Sequence, residues 1–135
     1  MGDSPATTNA ANVHDDSVEI AVPLHAEHAS TLRVIVASLG ADRSLNVDEI
    51  DDLKLAVSEV FTLMCDDAAD VGATRAHVRF RAATREISIQ LNRGLSGETF
   101  VLDALASAIL ASVVDSHVID DSGITITKRA GATHS

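Results

Sequence analysis

The stretch DDLKLAVSEVFTLMCDDA, residues 51–68, decides how this chain is read. Leu53, Ala56, Val57, Val60, Phe61 and Met64 recur at helical spacing, which is the signature of a helix with one apolar face. Upstream, Ile50 continues that face. Asn46 stands where an N-cap is needed, and Asp48 and Glu49 fill the first turn, where acids favour the helix dipole. The pattern predicts a helix from Asn46 to about Asp70, ended by VGAT. Glu59, Leu63 and Asp67 are spaced four apart and share one side of it. The question is whether Glu59 performs chemistry there.

On the N-terminal side, Val18, Ile20 and Val22 alternate up to Pro23 and predict a strand. Ala26, Ala29, Leu32, Ile35, Val36 and Leu39 then take helical spacing, with Gly40 as the expected C-terminal stop. On the C-terminal side the period changes to two. His77, Arg79 and Arg81 alternate with Val78, Phe80 and Ala82, and Ile87, Ile89 and Leu91 follow after a turn at Thr84–Arg85. That predicts a hairpin with one wet and one buried face. GETFVLDALASAILASVVDS is expected to be helical through Phe100, Leu102, Leu105, Ile109, Leu110 and Val113, and two strands flank the turn at DDSG. The order β-α-α-β-β-α-β-β predicts an α+β fold. The economical packing is a two-layer α/β sandwich, a mostly antiparallel sheet covered on one face by three helices.

The 135 residues suit one domain. Residues 17–129 are expected to form it, between flexible tails at 1–16 and 130–135. Three Phe and no Trp or Tyr require an aliphatic core. Twenty acids against ten bases give a formal charge of −10, which argues against a nucleic-acid face or an anionic membrane surface. No apolar run is long enough to cross a membrane, and the N-terminus does not read as a signal peptide. The single cysteine, Cys65, suits a reducing compartment, so a cytoplasmic location is expected. His25 and His28 could share a helical face and His14 lies near Asp15 and Asp16, but no third fixed ligand is visible and no metal site is assigned.

The segment IDDLKLAVSEVFT resembles the D-I-K-x-A-V-S-E-x-x-T-N helix of the anti-sigma-factor serine kinases, the RsbW-like branch of the GHKL or Bergerat-fold (histidine kinase-like) ATPases. GITITKR is similar to that family's last strand. The resemblance covers about Val18 to Lys128. It implies that Glu59 corresponds to the base that prepares water or a substrate serine. It also implies a magnesium-holding Asn one turn later, and here that position is Leu63. Magnesium demands oxygen ligands, so Leu63 cannot hold it, and Asp67 lies a further turn away. The family's adenine-binding Asp-x-Gly corresponds to NRG, with Asn92 in place of the Asp and Gly94 kept. Asn92 can accept a hydrogen bond but lacks the charge that strengthens it. The phosphate-binding lid is reduced to GLSGETFVLDAL, in which Gly94 and Gly97 remain.

The resemblance thus implies an anti-sigma factor, or an anti-sigma-like regulator in bacterial stress signalling. It would sequester a sigma factor and be countered by a STAS-domain anti-anti-sigma protein, as a pseudokinase without kinase activity and with no bound cofactor. ATP and magnesium enter only if the altered site still works. A homodimer is expected. The region Val18–Leu39, with Glu27 and Arg33, is the candidate partner surface. Two other readings stay open. One is a residual serine/threonine kinase using Glu59 on a STAS-domain serine, and the other is a structural pseudo-kinase subunit. The plain alternatives stand beside the site residues. Glu59 also reads as an ordinary helix residue, and Asn92 and Gly94 as a turn leaving a strand.

Overall fold

A computed structural model describes residues 16–95 and 100–131. The expected tail residues 1–15 and 132–135, with His14, and Gly97 of the shortened lid lie outside the described residues. Among the described residues there are five strands: β1 (Asp16–Pro23), β2 (Arg75–Ala83), β3 (Glu86–Asn92), β4 (Ser116–Asp120) and β5 (Gly123–Arg129). The helices are α1 (Ala29–Asp42), led by a 3-10 turn at Ala26–His28, α2 (Val47–Asp66), the short α3 (Ala68–Val71) and α4 (Ala104–Val113). The strands pair in the order β1-β2-β3-β5-β4, every pair antiparallel.

Alternation sets the two faces of the sheet. Val78, Phe80 and Ala82 of β2 lie beside Ile87, Ile89 and Leu91 of β3 and Ile124 and Ile126 of β5, all turned under the helices. The helices answer with Leu32 and Val36 from α1, Leu53, Val57, Val60 and Phe61 from α2, and Leu110 from α4. These form one core of aliphatic side chains in which Phe61 and Phe80 are fully buried. Burial of each such side chain contributes roughly 1.5–3 kcal/mol. The other face of the sheet is polar. Arg79 pairs there with Glu19 at 3.0 Å, and the Ser88 and Thr127 hydroxyls meet at 3.2 Å across β3 and β5.

α2 starts where its sequence says it should. The Asn46 side chain accepts from Glu49 N at 2.8 Å, and the Glu49 carboxylate accepts from Asn46 N at 2.8 Å, a reciprocal capping box. Three helix boundaries differ from the sequence reading, the first at the end of α2, which stops at Asp66 instead of running to about Asp70 and leaves Ala68–Val71 as the separate α3. α1 runs through Gly40 to Asp42 rather than stopping there, because the glycine lies against α2. A Cβ at position 40 would come within 2.8 Å of Ile50 Cγ1. α4 begins at Ala104, not near Phe100, because the Asp103 carboxylate accepts from Ala106 N at 2.8 Å and caps it. Leu105, one of the apolar positions that marked this helix in the sequence, is 71% exposed. At the far end, Ala130 N donates to Arg85 O and Gly131 N to the Glu49 carboxylate, which ties these two residues to the domain.

Candidate functional site

The corner where α2 ends and β3 leaves the sheet holds most of the chemistry-bearing residues. Glu59 is half-buried on α2, and its side chain forms no hydrogen bond or ion pair with another described residue. Leu63, one turn on, is partly buried against the core, as its aliphatic side chain requires. Asp67 closes α2, with half of its side chain exposed. One face of the helix therefore presents a carboxylate, an apolar residue and a second carboxylate in succession.

β3 supplies the other wall. Asn92 falls in register with Ser88 and Gln90 on the polar face, opposite His77. Its side-chain oxygen accepts from Gly94 N at 2.9 Å, which fixes the turn out of the strand. Gly94 adopts φ +73°, a left-handed conformation that glycine takes without strain. The residue that follows Ile87, Ile89 and Leu91 inward is Arg93, whose side chain is 2% exposed.

A buried guanidinium is costly unless its charge and donors are met. Nη1 of Arg93 donates to the Met64 carbonyl at 2.9 Å, one of the carbonyls left over at the α2 C-terminus, where the helix dipole favours a cation. The same nitrogen forms a hydrogen-bonded ion pair with the Asp67 carboxylate. The ring of Phe100 lies 5.5 Å from the guanidinium carbon, a cation–π distance. Arg93, Asp67 and Phe100 thus lock α2, the end of β3 and the segment leading to α4 to one another.

Cavities lie on both sides of this lock. A polar one of about 460 Å³ includes Asn92, Gly94, Asp121 and Ser122 in its lining, and a more apolar one of about 400 Å³ is lined by Leu63, Val71 and Val101 among others. Arg93 and Phe100 line both. Asp67, the carboxylate that could stand in for a magnesium ligand, is engaged by Arg93 instead. Among the described residues no three His, Cys, Asp or Glu side chains converge to hold a metal ion.

The remaining sequence candidates lie elsewhere. Glu27 is exposed in the 3-10 turn, 3.9 Å from His28. Arg33 is half-buried and donates to Ser58 Oγ of α2 at 2.9 Å, so it joins two helices as well as facing outward. That bond places Arg33 beside the middle of α2, whereas Glu27 lies in the 3-10 turn before α1. Sequence reasoning missed Arg93 and Phe100. The period-two pattern of β3, carried one step past Leu91, would have turned Arg93 inward, but nothing local marks Asp67 as its partner.

No family model matches the chain. Its sequence is similar to a serine-protein kinase RsbW of Halalkalibacterium halodurans, 27% identical over 94 residues that cover 70% of this chain and 56% of the relative. The chain therefore spans little more than half the length of that curated relative. Its fold is similar to a crystal structure of the RsbU and RsbW domains of a Mycobacterium tuberculosis protein. The TM-score is 0.59 with 19% identity, over 85% of this chain and 32% of the other. The five-stranded antiparallel sheet with its helices is thus the two-layer fold of the histidine kinase-like (GHKL) domains. In sequence and in fold the chain is similar to RsbW proteins.

Proposed function

We propose that this chain is an RsbW-like anti-sigma regulator that works in the cytoplasm by occupancy, holding a sigma factor until a STAS-domain antagonist displaces it, without phosphoryl transfer. The observation that carries this reading is the Arg93–Asp67–Phe100 lock beside Leu63. By the resemblance, that corner is where magnesium and nucleotide would sit. Its magnesium position carries an aliphatic side chain, and the nearest spare carboxylate is neutralised by a buried arginine. Only eleven residues, 93–103, separate β3 from α4, so little chain is left for a phosphate-binding lid. Sequestration needs a binding surface rather than a positioned triphosphate, and the exposed Glu27 turn remains the candidate contact for a partner or a second copy.

Calorimetric titration of the full chain with ATP and magnesium tests the reading, followed by incubation with a STAS-domain protein and labelled ATP. No binding heat at physiological nucleotide concentration and no label transfer are expected. The retained Glu59 and the likeness to a serine-protein kinase favour one competing reading, a residual kinase. ATP binding together with label transfer that Glu59→Gln abolishes would establish it instead.

A further inference from the structure

Beyond Arg93 the corner opens into an apolar furrow. Leu63, Val71, Phe100 and Val101 line it, with the carboxylate residues Asp67 and Asp103. Val101 is 77% exposed, and Leu105, two residues past Asp103, is 71% exposed. Single exposed aliphatic residues are ordinary, but a furrow flanked by several marks a surface that gains by being covered. Its surroundings carry one sign of charge. Asp67 and Asp103 line it, Asp66 and Asp70 adjoin the lining residues Asp67 and Val71 in sequence, all four are exposed, and Arg93, the cation in the lining, is buried and faces Asp67.

We propose that this furrow docks a basic amphipathic helix of a protein partner. Apolar side chains one turn apart on that helix would enter between Leu63, Val71 and Val101, and flanking Lys or Arg would meet Asp66, Asp70 and Asp103. The cavity of about 400 Å³ is large enough for such anchors. Charge selects this occupant over the others. A triphosphate, an acidic protein segment and an anionic lipid surface would each be repelled by the same carboxylates. The inference rests on the reading that nucleotide does not occupy this corner, and it names the chemistry of the partner held there.

The test uses the full chain and a synthetic helical peptide of Leu and Lys, paired with a counterpart in which every Lys is Glu. Fluorescence anisotropy at two salt concentrations reads the affinities. The Lys peptide is expected to bind and the Glu peptide not. Val101→Ser with Leu105→Ser, both on exposed positions that folding does not need, should weaken the Lys peptide about tenfold or more. Asp70→Lys should weaken it most at low salt. Equal binding of the two peptides, or no binding of either, overturns the proposal. So does Lys-peptide affinity untouched by the serine changes, which would reduce it to attraction by the net charge of −10. ATP titration reads the underlying functional reading separately. Failure with the peptide alone leaves occupancy standing, whereas ATP binding removes the premise.

Discussion

Removing the Asp67 carboxylate takes away the charge that faces the buried Arg93 guanidinium and leaves that cation in the core. Asp67→Ala is expected to lower stability by about 2–4 kcal/mol, because breaking one side of a buried pair costs more than the pair contributes. Adding Arg93→Met should recover much of the loss, since it removes the stranded charge at similar volume. Urea denaturation of the single and double variants measures both. Cys65 lies nearby, and burial pushes its thiol up, with the charge of Asp66 adding to the rise and that of Arg93 opposing it. Below the pKa of an unfolded cysteine this contributes stability, which is lost as pH rises through the folded value. At mildly alkaline pH Cys65 therefore holds less thiolate than a free cysteine and should alkylate with iodoacetamide more slowly than a model thiol, also for want of access. Of these residues, Glu59, Leu63 and Asp67 could be placed on one helix face from spacing alone. Arg93 could not be assigned its role, because its partner is 26 residues away in sequence and lies across a layer boundary.

At the scale of elements, a glycine shows why periodicity places helices better than it ends them. Gly40 looks like a stop signal, yet it is buried inside α1 because Ile50 of α2 occupies the space a side chain would need. Alanine favours a helix over glycine by about 1 kcal/mol. Gly40→Ala should nonetheless destabilise the domain by about 1–2 kcal/mol net, because overpacking costs about 1–3 kcal/mol and outweighs that gain. In an Ile50→Ala background the same change should cost less, a coupling that a double-mutant cycle by thermal denaturation would read. α2 was legible at its start because its cap and its apolar stripe agree. The start of α4 was not, because Phe100 and Leu102 fall in phase with Leu105 and Ile109 although they precede the Asp103 cap. Phase extends an apparent helix backward, and only the cap says where the backbone turns.

Across the whole molecule, alternation and helical period were enough to give a sheet with helices on one side. The strand order needed the structure, because pairing partners distant in sequence leave no local trace. β2–β3 and β4–β5 are hairpins closed by short turns. β1, by contrast, finds β2 only across α1, α2 and α3, and Glu19 meets Arg79 sixty residues on. This pairing has a kinetic consequence. Closing so long a loop costs entropy before any contact repays it, so β1 should join after the β2–β3 hairpin has formed beneath α2. Val22→Ala on β1 should then speed unfolding while leaving the refolding rate nearly unchanged, whereas Ile89→Val on β3 should slow refolding. Stopped-flow chevrons of the two variants would show it: the strand nearest the N-terminus would be the last to join the sheet and the first to come away.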